Sequence, residues 1–134
     1  MEAYLLRCAA PLAAVTGSPA VLAEAAGWLK QAGIPDGGAW MFGYEVYLSI
    51  AEAWLGHGEP DRARAVLAPL LAVAEREPWI PALAAALAAD GRALVRLDQR
   101  EQARAELGRA ARLAGEHGLP HVLREAREAA QGLG

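Results

Sequence analysis

Residues 44–74, YEVYLSIAEAWLGHGEPDRARAVLAPLLAVA, read as two long helices joined at a tight break, His57-Gly58-Glu59-Pro60. Apolar residues recur three and four apart on both sides of the break. Tyr47, Ile50, Ala51 and Trp54 precede it, and Ala63, Leu67, Leu70 and Ala74 follow it. This spacing gathers each set on one face of a helix. Neither helix can bury its face alone. The stretch therefore predicts a helical hairpin whose outer face is left for a neighbour.

The pattern returns. RARAVLAPLLAVA, from Arg62, lies over QARAELGRAARLA, from Gln102, forty residues on and without a gap. Ala63 then meets Ala103, Arg64 meets Arg104, Leu67 meets Leu107 and Ala74 meets Ala114. The same offset pairs Tyr47 with Leu87, Ala51 with Gly91, Trp54 with Leu94 and Leu83 with Leu123. Alanine matches carry little weight in so alanine-rich a chain; the leucines, arginines and break positions carry the inference. A fixed period in this range is the mark of stacked helical repeats.

Composition agrees. Alanine, the best helix former, makes up about a quarter of the 134 residues. Strand signals are nearly absent, and Thr16 is the only threonine. The chain is expected to be all-α and one domain. Residues 1–38 are a degenerate first repeat, 39–78 and 79–118 are two full repeats, and 119–134 hold a capping helix.

Taken in order, a first helix over 2–15 contains Pro11 and ends near Thr16-Gly17-Ser18-Pro19. A second runs to about Ala32, and IPDGGA, 34–39, is a loop. The central hairpin follows, then Glu75-Arg76-Glu77-Pro78 as a linker. Helices are expected over 79–97, 101–116 and 120–131, with Asp98-Gln99-Arg100-Glu101 and Gly118 between them. The last carries Val122, Leu123, Ala126 and Ala130 on one face. Arg124, Glu125, Arg127 and Glu128 on its other face suit the end of a stack.

These residues resemble the tetratricopeptide family, whose repeats are helix pairs of about 34 residues. The family's large apolar positions fall on Tyr47, Ile50 and Trp54, its small ones on Ala51 and Ala63, and a further apolar one on Leu67. In the next repeat they fall on Leu87, Asp90, Leu94, Gly91, Ala103 and Leu107. Asp90 is polar where the family has an apolar residue, and Leu70 is large where it has alanine. The longer, alanine- and arginine-rich repeats are similar to the C-terminal arrays of large ATP-binding LuxR-type bacterial regulators. The resemblance implies a TPR-like α-solenoid of about three hairpins plus a C-terminal capping helix, wound as a right-handed superhelix.

The resemblance also implies a partner-binding groove lined by the first helix of each repeat. Carried over, its residues are Glu45, Leu48, Glu52 and Leu55, then Ala85, Ala88, Arg92, Val95 and Arg96. Of the aromatic residues Trp28, Trp40, Phe42, Tyr44, Tyr47 and Trp54, the regular stripe assigns Tyr47 and Trp54 to the core. Trp40, Phe42 and Tyr44 fall outside that stripe and are candidate exposed contacts.

Other chemistry finds no support in the sequence. The chain has no P-loop, and Lys30 is its only lysine. His117 and His121 have metal-ligand spacing, but Gly118 and Pro120 lie between them and no third ligand is well placed. Cys8, the one cysteine, reads as a buried inert thiol, and its solitude favours a reducing compartment. A net charge of −3 gives no footprint for nucleic acid. No apolar run reaches the roughly 18 residues that span a bilayer.

The expectation is a cytoplasmic protein-interaction module, standing alone or within a larger bacterial regulator. It is not an enzyme and uses no cofactor or metal. It takes a protein or peptide partner, and touches neither nucleic acid nor membrane. The alternative is a helical repeat domain that senses a small ligand, for which a closed pocket near Trp28 and Trp40 would be the sign. Residues 3–15, nearly all apolar apart from Arg7, are expected to mediate a homodimer.

Overall fold

The computed structural model describes residues 23, 24, 27, 44–76 and 79–133. Within them every element is a helix: α1 (Tyr44–Gly56), α2 (Pro60–Arg76), α3 (Ile80–Arg96), α4 (Arg100–Glu116) and α5 (Pro120–Gln131). The expected helix over 2–15, the loop at 34–39 and the dimer surface at 3–15 lie outside the described residues. The chain divides into two compact units, Met1–Leu70 and Leu71–Gly134.

Three of the breaks between helices share one construction. Gly58, Asp98 and Gly118 take positive φ angles of 73°, 58° and 66°. The N–H of the next residue, Glu59, Gln99 or Leu119, then donates back to the carbonyl of Trp54, Leu94 or Ala114 at 2.9, 3.0 and 2.8 Å. This closes the last turn of the preceding helix. The carbonyl of that same residue accepts the first bond of the next helix, from Ala63, Ala103 or Leu123. A single residue thus ends one helix and opens the next, so three residues suffice for each break. Trp79, whose carbonyl accepts from the N–H of Leu83 at 2.9 Å, opens α3 in the same way.

The opening residues Glu59, Trp79, Gln99 and Leu119 are therefore twenty apart, and the helices begin at Pro60, Ile80, Arg100 and Pro120. Burial follows the same count. Ala63, Leu67, Leu70 and Ala74 of α2, Leu83, Leu87, Asp90 and Leu94 of α3, and Ala103, Leu107, Ala110 and Ala114 of α4 are all buried. Tyr47, Ile50 and Trp54 occupy the corresponding places in α1 and are buried too. The forty-residue repeat of the sequence is two twenty-residue steps of structure.

In the second unit α4 packs against both α3 and α5, and α3 also touches α5. A 17-residue helix is about 25 Å long, and three linking residues reach only about 10 Å. Consecutive helices that pack side by side must therefore run antiparallel. The two helices approach closely at Gly91 of α3: a methyl group there would lie 2.6 Å from two side-chain carbons of Leu107 in α4.

Three expectations need correction. Glu75 and Arg76 are not linker but the last turn of α2. A proline constrains chiefly the residue before it and leaves earlier ones free to stay helical, as Glu75 and Arg76 are. The break expected at Asp98–Glu101 is Leu97-Asp98-Gln99, and Arg100 already belongs to α4. In α5 Ala130 is exposed; the buried edge passes through Ala126 and half-buried Ala129 to Leu133. That shift has a visible cause, because Leu133 donates to the carbonyl of Ala130 at 3.0 Å. Its own carbonyl accepts from Nη2 of Arg104 at 3.2 Å.

Asp98 holds the left-handed conformation where Gly58 and Gly118 stand in the other breaks. A side chain there is strained, aspartate less than most. Asp98→Gly is expected to stabilise by about 0.5 kcal/mol and Asp98→Val to destabilise by about 1–2 kcal/mol. Thermal melts of both variants check this; melts unchanged in both would remove the positive φ from the account.

Candidate interaction surface

α3 is buried around most of its circumference. Every residue from Ala82 to Leu94 is buried except Ala85 and Arg92. Beyond half-buried Ile80 at its start, what remains open is one narrow strip: half-buried Pro81, Ala85, Arg92 and Val95, and exposed Arg96. Pro81, Ala85, Arg92 and Val95 follow one another at four, seven and three residues, and Arg96 is four from Arg92, so they share one face. Sequence reasoning placed Ala85, Arg92, Val95 and Arg96 together, and the structure brings them onto this strip. Ala88, carried over with them, is fully buried beneath it. Pro81 was missed, although its place one turn before Ala85 was a usable signal.

α1 buries a broad arc consisting of Val46, Tyr47, Ile50, Ala51, Trp54 and Leu55. Its opposite face carries exposed Glu45 and Glu52 with half-buried Leu48 between them. Leu55, expected beside these three, is 1% exposed and belongs to the core instead. The family pattern assumes a narrow apolar stripe, whereas α1 covers nearly half its surface, and Leu55 falls within that wider arc. Tyr44 is half-buried; burial raises the pKa of its phenol, and the neighbouring Glu45 carboxylate adds to the rise. Trp40 and Phe42, like Trp28, lie outside the described residues.

Trp54 and Tyr47 fill the core, as their spacing predicts. Trp54 is 2% exposed, and the Arg62 guanidinium of α2 lies 4.8 Å from its ring centroid. Arg62 is also within 3.9 Å of Glu59. Tyr47 is buried deeply enough to push its phenol pKa up.

His117 caps α4 and His121 stands in the first turn of α5, with Gly118 and Pro120 between them. His121 faces Glu125 at 3.0 Å and Arg124 at 3.2 Å. Among the described residues no group of three or more His, Cys, Asp or Glu is arranged to hold a metal ion. No described helix is long and apolar enough to cross a membrane.

Compared with protein-family models, with curated proteins and with solved structures, the chain gives no match. The candidate surface therefore stands on its own geometry.

That geometry includes one ion pair which the sequence did not reveal. Arg109 of α4 grips the carboxylate of Glu75 with both terminal guanidinium nitrogens, the Nη2–Oε2 bond being 3.1 Å. This hydrogen bonding lowers the Glu75 pKa below its ordinary value, and the arginine's charge adds to the effect. A carboxyl group whose pKa is depressed in the folded state stabilises the fold above the ordinary value of 4.5. The contribution is lost as pH falls through the depressed value. The two side chains are 39% and 45% exposed, so solvent screening limits it to below ~1 kcal/mol. Glu75→Gln is expected to lower stability slightly at pH 7 and not at pH 2. A deficit that persists at pH 2 would assign the loss to packing instead.

Proposed function

We propose that the chain is a TPR-like helical repeat module that binds a protein or peptide through the open strip of α3. The observation that carries this reading is the contrast within that helix. It is enclosed on nearly every side, yet Pro81, Ala85, Arg92, Val95 and Arg96 remain in reach of solvent. A helix otherwise buried among its neighbours is held rigidly, and a rigid face loses little freedom when a partner settles on it. Small and aliphatic residues give the strip room for a side chain, and the two arginines offer fixed charge to orient a partner. The twenty-residue step and the contact of α3 with α5 support a solenoid, in which alternate helices lie side by side. The face of α1 with Glu45, Leu48 and Glu52 is a second such surface within the first unit. The sequence resemblance adds a setting, a cytoplasmic bacterial regulator of which this module is the whole or a part.

The test uses peptides selected from a random display library on the wild-type chain. Ala85→Trp and Val95→Asp alter the strip, while Ala68→Asp alters an exposed position on α2. The expected result is at least a tenfold loss of affinity, about 1.4 kcal/mol, in the first two variants and none in the third. Peptides that bind all three variants equally, or a selection that yields no binder, would reject the reading.

A further inference from the structure

α2 belongs to both compact units: Pro60–Leu70 lies in the first and Leu71–Arg76 in the second. Each part is fastened within its own unit by a different contact. Near the start, Arg62 lies over the Trp54 ring of α1. In the last turn, Glu75 is gripped by Arg109 of α4. Between these fastenings stands Pro69, inside the helix.

Proline has no N–H to offer the carbonyl four residues back, and its ring pushes that carbonyl aside. The carbonyl is that of Ala65. Ala65 and Pro69 are both exposed, so water can reach the interrupted rung, while Leu70 next to it is buried. The ladder is thus broken only on its solvent side, one residue from the boundary of the units.

We propose that α2 is a jointed helix, a conformational device that opens at Pro69 while both of its ends remain packed. The joint rests on two observations: the interior proline on the exposed face, and the separate fastening of the two ends.

Residue-resolved amide hydrogen exchange on the full chain tests it, with wild type compared to Pro69→Ala. In the wild type the amides of Leu70–Val73 are expected to exchange on the order of tenfold faster than those of Ala86–Asp90 in α3, as local opening requires. Pro69→Ala is expected to slow Leu70–Val73 by a similar factor while α3 and α4 keep their rates. Pro69→Gly, which restores the N–H at poor helix propensity, is expected to fall between the two. Equal rates in α2 and α3 of the wild type would overturn the proposal. So would an alanine variant that slows every helix alike, because the effect would then be one of global stability.

Discussion

Trp54→Ala is expected to lower the free energy of unfolding by about 3–5 kcal/mol, the usual cost of emptying a large core site. The side chain is nearly inaccessible to solvent and fills a core place near the end of α1. Its loss also removes the ring beneath Arg62, a partly exposed cation–π contact that contributes about 0.5–1 kcal/mol. Trp54→Phe separates the causes. Among the described residues the indole Nε1 has no hydrogen-bond partner, so phenylalanine removes volume and no hydrogen bond. It is expected to cost roughly 1–2 kcal/mol, well below alanine. Denaturant unfolding of both variants, followed by far-UV circular dichroism, decides the matter. An unchanged midpoint in Trp54→Ala would mean that the ring does not anchor the hairpin.

Leu107→Ala is expected to cost about 2–5 kcal/mol, since the leucine is buried and packs against the backbone of α3 at Gly91. Gly91→Ala should also destabilise, by about 1–3 kcal/mol, although alanine is the better helix former by about 1 kcal/mol. The added methyl would meet the branch carbon and one methyl of Leu107, and a buried side chain has little freedom to withdraw. The double variant is the sharper measurement. With Leu107 cut back, the methyl at position 91 enters space already vacated, so the two costs should fall short of additive by at least about 1 kcal/mol. Strict additivity would show that the two positions do not touch.

Much of the fold was legible because it follows from spacing. Ala63, Leu67, Leu70 and Ala74 could be placed in the core from the sequence, as could their partners forty residues on, and each is buried. The break at Gly58 was legible because glycine and proline flank it. The one at Leu97–Gln99 was placed a residue late because Asp98 performs glycine's task without glycine's signature. The ion pair of Glu75 and Arg109 joins residues 34 apart on two helices, and no local pattern announces such a pair. On the open strip of α3, Ala85, Arg92 and Val95 were placed together by family position, and Pro81 was not. Leu55 and Ala88 were misplaced for a physical reason: a helix can bury more of its circumference than its most regular stripe suggests.

The twenty-residue step imposes a rule of parity on any change in the chain's length. The breaks between α3 and α4 and between α4 and α5 each turn the chain back on itself, so the packed helices they join point in opposite directions. Excising twenty residues between corresponding points of two breaks would remove one helix and reverse the direction of every helix after it. The buried positions would keep their count along the sequence but would meet their neighbours upside down. Excising or duplicating forty residues restores the direction and leaves later helices in familiar surroundings. A chain built this way can be lengthened or shortened by helices in twos, and a single helix gained or lost between breaks sets the remainder against itself.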